Sequence, residues 1–404
     1  MSLSYAQALR NERLNYAEIF LVTPLIVVVQ QFAPVLATRL GASPLLLGFL
    51  TSGAALMLSI TAAMGPWWFR RISLEHITSL AKPLIVFRTV LIWIPLVLLL
   101  PDHRAEALVA LIVVLNFFAG LSQVTFVSFL PRMTLRNRLA NMVSGRWTAL
   151  GLGMAICAPL LARVLDRFAL PMNYAVVCAI AVVFTLISMA CLFRIRLAPL
   201  SDTGAFKLAG QSSLSEILKH GPGLRYLVVT LLMQIALNAP VPLITLRLVR
   251  ELNISDGDYG VYAAAFWAAL AVFGLILPRL VERFGNRIIF IASGVGLGVQ
   301  VLILALASAM PVIWLAGIIG GIASVMFQVT AFALVVESAP PGRYESYVSV
   351  HSSVANFAVF AAPLAMSALS TAGLPIITGL LICAVLRFVA GIPAWQRRGK
   401  SSVS

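Results

Sequence analysis

The stretch Leu40-Gly-Ala-Ser-Pro-Leu-Leu-Leu-Gly48 returns in skeleton in the second half of the chain as Leu252-Asn-Ile-Ser-Asp-Gly-Asp-Tyr-Gly260. Leu, Ser and Gly hold matching offsets, and both copies open a long apolar run. The pairing continues downstream. Arg138-Leu-Ala-Asn-Met-Val-Ser144 matches Arg343-Tyr-Glu-Ser-Tyr-Val-Ser349, and Ala158-Pro159-Leu160 matches Ala362-Pro363-Leu364. A hydrophobic chain written twice is the pattern of membrane carriers, in which pseudo-symmetric halves enclose one midplane site.

Apolar runs fall near residues 17–38, 44–66, 83–101, 107–130, 142–164 and 172–193, and again near 225–245, 259–279, 287–309, 312–336, 347–369 and 374–395. We number them spans 1 to 12. Each has about the 20 residues that a bilayer-crossing helix needs. Strand alternation is absent, so an all-α polytopic membrane protein of twelve transmembrane helices is expected, in two six-helix halves. The halves are residues 1–195 and 224–404, joined by a polar linker at 196–223 that is rich in Ser, Gly and Pro. Within the linker, Ser213-Leu-Ser-Glu216 has capping-box spacing; a short interfacial helix and a disordered segment are both open there. Met1 to Tyr16 is polar, runs straight into span 1 and shows no cleavable signal pattern.

Composition agrees with this reading. Of 404 residues, 61% are hydrophobic and 11% charged, and the mean hydropathy is +0.99, outside the range of soluble domains. The net charge of +15 does not mark a nucleic-acid binder. With both termini placed in the cytoplasm of a cell with an inner membrane, 21 of the 29 Lys and Arg fall inside, 6 outside, and Arg88 and Arg387 within spans. That is the positive-inside bias. Cys157, Cys178, Cys191 and Cys383 lie within spans and form neither a disulfide framework nor a metal-ligand pattern. No cofactor, no metal and no enzymatic triad is expected.

One loop carries a family resemblance. Between spans 8 and 9, Pro278-Arg-Leu-Val-Glu-Arg-Phe-Gly-Asn-Arg287 resembles the signature loop of the major facilitator superfamily, roughly G-x-L-A-D-R-x-G-R-R. Gly285 permits a tight turn, and Glu282 is expected near a helix N-terminus, where the dipole favours its charge. The resemblance implies that Glu282, Arg283, Gly285 and Arg287 brace a cytoplasmic gate. In the first half, Gly65-Pro-Trp-Trp-Phe-Arg-Arg71 keeps Gly65 and the basic pair Arg70 and Arg71 but lacks the acidic residue. Glu75 is nearby but off register. The family's span 4 arginine is replaced by Asn116 in Asn116-Phe-Phe-Ala-Gly120.

Buried amides concentrate in four spans. Gln30 and Gln31 are in span 1, Asn116 and Gln123 in span 4, Gln234 and Asn238 in span 7, and Gln328 in span 10. An amide facing lipid would be unsatisfied, so these side chains point inward. The resemblance implies that the same four spans line a central cavity. Singly, each amide reads as interhelical glue; as a set they read as a lining for a neutral or weakly charged organic solute. Ionisable groups within spans are few. Glu18 is the candidate proton carrier, with an edge carboxylate paired to Arg as the alternative. His351, at the repeat position of Arg146, is a second titratable candidate or a packed residue. Arg88 is placed to snorkel. Arg387 is read as a structural pairing. Tyr259, Tyr262 and Trp314 are expected as interfacial anchors. Gly294, Gly298, Gly317 and Gly321 are expected at close helix crossings.

The expectation is a monomeric secondary transporter of a small organic solute, working by alternating access in the lipid bilayer. It leans to efflux, with the proton as coupling ion. A non-transporting scaffold and a lipid translocator are the rival readings.

Overall fold

A computed structural model of the chain describes residues 4–72, 76–198, 221–338 and 344–390. Most of the linker, Glu75 and the basic C-terminal tail lie outside the described residues. Eleven helices are long and apolar enough to cross a membrane. A twelfth apolar helix, Ile376–Ala390, is shorter within the described residues. The face at which the described residues begin, at Ser4, and end, at Ala390, is called here the terminal face, and the other the opposite face.

Span 1 is longer than its hydropathy suggests. Its helix begins at Tyr5, capped by a reciprocal pair of bonds between Ser4 and Gln7, and reaches Arg39 with local irregularities. The polar start is helical because its polar face is satisfied inside the protein. Asn11 donates to the carbonyls of Met133 and Arg196 at 2.9 and 2.7 Å. Glu12 accepts from Thr134 at 2.5 Å and pairs with Arg138 at 2.7 Å. That hydrogen-bonded carboxylate raises the Arg138 guanidinium above its ordinary pKa. Hydropathy alone misses such a segment because it scores polar residues as solvent-facing.

The repeated stretch has a geometric cause. Gly41 and Asn253 both adopt positive φ, 89° and 47°, a conformation open to Gly and tolerated by Asn. Two residues on, Ser43 and Ser255 cap the next helix by accepting from the backbone N–H of Leu46 and Asp258. Each copy therefore turns the chain at the opposite face and restarts it as span 2 or span 8.

The conserved-offset glycines then join the halves. A Cβ on Gly48 of span 2 would lie 3.1 Å from the Pro363 carbonyl and collide with Ser367, both in span 11. A Cβ on Gly260 of span 8 would lie 2.9 Å from the Ala158 carbonyl and 3.3 Å from Pro159 Cα in span 5. The two repeats noted in the sequence thus meet each other in space: each glycine lies against the other half's proline-bearing helix. Pro159 and Pro363 sit inside continuous helices, which neighbouring spans tolerate within a bilayer.

The other small-residue positions behave as expected. A Cβ on Gly298 would come within 2.7 Å of Phe388 in span 12, and one on Gly317 within 2.7 Å of the Tyr262 carbonyl in span 8. Tyr259 and Tyr262 are not interfacial anchors. Both are buried, Tyr259 against Phe32 of the other half at 6.2 Å between ring centroids. Gly48→Leu and Gly260→Leu are expected to destabilise the protein by about 1–3 kcal/mol each through overpacking. Thermal unfolding of the purified protein checks this, with Gly221→Leu, where a Cβ meets open space, as the neutral control.

Candidate functional site

Glu18 organises the first half. It sits in span 1 with 3% of its surface exposed. Arg88 of span 3 donates to its Oε1 at 2.7 Å and Arg146 of span 5 to its Oε2 at 2.9 Å. The Ser188 hydroxyl of span 6 donates to the Glu18 backbone carbonyl at 3.0 Å and to its Oε1 at 3.3 Å. Four spans are tied through one carboxylate. Arg88 therefore does not snorkel: it turns inward and is 6% exposed. Arg146 also reaches the Asn15 side-chain oxygen and lies over the Phe126 ring at 4.4 Å.

This cluster borders a cavity of about 650 Å³. Its walls run from Pro34 and Leu50 to Leu80, Arg146 and Leu192. Among the described residues they come from the first half only. Gln30, Asn116 and Gln123 line it, together with Glu18, Arg88 and Arg146. Gln30 projects from a widened helical segment, Val27–Phe32, of the kind often found at functional positions. Asn116 donates to the Ile112 carbonyl one turn back at 2.8 Å, leaving its oxygen for other partners. Gln234, Asn238 and Gln328 are not in these walls. Asn238 instead donates to the Gln234 backbone and side-chain oxygens at 2.8 and 3.2 Å. The amide set splits between the halves, because sequence spacing fixes a helical face but not which cavity that face meets.

The second half repeats the contact without its charges. His351, at the position of Arg146, bonds the Thr230 hydroxyl at 3.1 Å and stacks on Tyr226 at 5.8 Å. Thr230 occupies the repeat position of Glu18. So His351 is a packed, hydrogen-bonded residue between spans 7 and 11. Arg387 is buried with no carboxylate partner among the described residues. It donates to the carbonyls of Ala236 and Leu237 at 2.9 and 2.8 Å, and to Leu297 at 2.8 Å. The first helix of span 7 ends at Asn238, so its last carbonyls lack helical partners. The residue that would bond Ala236 is Pro240, which has no N–H. Arg387 caps that break, and Gln300 links it to Tyr262.

Polar contacts between the halves cluster at the opposite face. Arg39 approaches Asp256 at 3.0 Å, and its guanidinium donates to the Ile254 carbonyl at 3.3 Å. Arg250 donates to the Ala42 carbonyl at 2.8 Å. Asp166, at the end of span 5, accepts from the Asp256 and Gly257 N–H groups at 3.0 and 2.7 Å. A carboxylate of one half thus caps a helix of the other, where the dipole favours it. The sequence reading overlooked Asp166, although a carboxylate at a span end facing a repeat turn was a usable signal.

The signature loop lies at the terminal face. Gly285 has φ 78° and links spans 8 and 9 directly. Glu282 is in the last turn of span 8, which ends at Phe284, and not at a helix N-terminus as expected. Glu282, Arg283 and Arg287 are exposed. The polar bridge at this turn is Asn286 donating to Glu337 of span 10 at 2.7 Å. In the first half Arg71 lies over Trp67 at 4.4 Å, Arg70 is exposed, and Gly65 starts the short helix Gly65–Phe69.

Residues 226–402 match the family model described as Major Facilitator Superfamily. A variant of the nucleoside transporter NupG superposes with a TM-score of 0.72 at 14% identity, covering 96% of this chain and 98% of that one. A D-xylose-proton symporter gives 0.72 at 14% identity over 97% and 98%. A bacterial homologue of the iron transporter ferroportin, in an inward-facing state, gives 0.66 at 16% over 96% and 99%. No curated protein matches the sequence. The second half of the chain thus resembles the major facilitator superfamily in sequence, and the whole chain shares the fold of these transporter structures.

Removing Glu18 leaves two buried guanidinium groups facing each other. Glu18→Ala is expected to cost about 3–5 kcal/mol, and Glu18→Ala with Arg88→Met to cost less than the single change. Chemical denaturation of both variants measures the coupling.

Proposed function

We propose that this protein is a secondary active transporter that moves a small organic solute across the membrane by alternating access. The carrying observation is a solute-sized cavity, bordered by a buried ion cluster, in a molecule whose halves are latched at one face. The scaffold reading calls for a collapsed or plugged cavity, which the 650 Å³ space argues against. The terminal face is taken as cytoplasmic on the charge bias of its loops, so the latched state is open inward. The likeness to an inward-facing relative supports this.

Glu18 is the proton site of the mechanism. It is the one carboxylate among the cavity's described walls, and a symporter that uses protons is among the structural relatives. A proton on Glu18 cancels its charge and frees Arg146 from that pairing, so proton and solute occupancy are coupled through one side chain. Opening outward then requires Arg39–Asp256, Arg250–Ala42, the Asp166 cap and the glycine seams beside them to separate.

The test is a disulfide across a seam. In a background with the four native cysteines replaced by serine, Gly48→Cys is combined with Ser367→Cys, whose Cβ atoms would lie 2.6 Å apart before relaxation. Oxidation is expected to stop solute accumulation in proteoliposomes under a proton gradient, with a metabolite mixture read by mass spectrometry, and reductant to restore it. Accumulation that continues in the fully cross-linked protein would contradict alternating access.

A further inference from the structure

We propose that the cavity selects organic monoanions, a carboxylate on an apolar body, with the carboxylate seated on the free edge of Arg146. The proposal rests on the transporter reading and adds the substrate class.

The charge count at the cavity wall leads there. Glu18 carries one formal negative charge, and Arg88 and Arg146 one positive charge each, so the cluster is left with an excess of one cation. The cavity's described walls hold no second acid. An unbalanced charge inside a membrane protein is costly, and a bound monoanion would balance it. A dianion would overshoot and a cation would add to the excess.

The donors that remain point the same way. Among the described residues every hydrogen bond of Arg146 leaves from Nη1, toward Asn15 and Glu18. Among the described residues its Nε and Nη2 have no protein partner. The side chain is 23% exposed, in the cavity wall. The guanidinium therefore spends one end on the protein and presents a second, planar edge of two N–H donors, the geometry that receives a carboxylate in two parallel bonds. Arg88, also in the wall, keeps a buried Nε with no hydrogen-bond partner. The unfilled guanidinium groups here are donors only, which suits an acceptor-only ligand group.

The surroundings set the rest of the ligand. Phe126 lies under the guanidinium at 4.4 Å and Trp147 flanks it in the wall. Val22, Leu25, Ile26 and Leu58 continue an apolar surface away from the charge. Beyond it the polar side chains of the wall are the amides Gln30, Asn116 and Gln123 and the hydroxyls of Thr51 and Ser122, which already donate to their own helices. A sugar-like body with many hydroxyls would therefore leave several of them unpaired.

The experiment is a binding panel on the full-length protein in lipid nanodiscs. Straight-chain carboxylates from butanoate to dodecanoate and 3-phenylpropanoate are compared with the matching primary amides and amines. Protection of Trp147 from acrylamide quenching locates binding in the cavity. Carboxylates are expected to bind about tenfold or more tighter than their amides, the usual worth of a hydrogen bond to a charged group. Arg146→Gln should erase that preference. Arg146→Lys, which keeps a cation against Glu18 but has no second edge, should reduce it while preserving the fold. Equal binding of amides and carboxylates, tighter binding of amines, a preference that survives both variants, or no binding by any carboxylate would each overturn the proposal. Amide or amine binding that protects Trp147 would leave the transporter reading standing. Failure of the seam disulfide to stop transport would remove that reading independently.

Discussion

Everything in this molecule depends on how closely its two halves approach at two crossings. Gly48 lies against span 11 at Pro363 and Ser367, and Gly260 against span 5 at Ala158 and Pro159. Side chains larger than hydrogen would hold these helices apart. Lipid tails give helices no hydrophobic reason to associate, so close van der Waals approach between small residues has to supply the adhesion. With the seams closed, the opposite-face polar contacts come within reach. Each seam pairs a residue of one repeat with the matching element of the other half, so the two crossings are pseudo-symmetric equivalents.

The repeat is preserved where geometry demands it and abandoned where chemistry differs. The turn residue at positive φ, the capping serine and the seam glycine recur in both halves. The contact between spans 1 and 5 recurs between spans 7 and 11, but Glu18–Arg146 becomes Thr230–His351. A charged contact in one half and a neutral one in the other leave the scaffold symmetric and the cavity wall asymmetric. The first half holds the ion cluster. The second half spends its buried arginine, Arg387, on capping a broken helix.

The fold was legible in the sequence because its determinants are local and periodic. Span length follows from bilayer thickness, and the halves follow from the repeat. The close glycine crossings were legible from small-residue spacing. What stayed hidden depends on partners far apart in the chain. Asn11 and Glu12 read as solvent-facing until Met133, Thr134, Arg138 and Arg196 are brought beside them. Arg88 read as a snorkelling residue until Glu18 appears across from it. Gln234 and Asn238 share a helical face as their spacing required, yet that face bonds to itself and not to the first-half cavity. Tyr259 and Tyr262 were assigned from their distance to a span end, which says nothing about which way the helix is rotated.

The central claim is that the seams and the opposite-face latch hold two rigid halves that exchange access between faces. Spin-label distance measurements test it most directly, with one label pair at Ser43 and Asn253 on the opposite face and another at Arg70 and Arg283 on the terminal face. Distances would be recorded in nanodiscs for the parent protein and for Arg39→Gln combined with Asp166→Asn, which weakens the latch. The account predicts a population in which the opposite-face distance lengthens while the terminal-face distance shortens, enlarged by the latch substitutions. Distances at both faces that stay fixed, or that lengthen together, would contradict it.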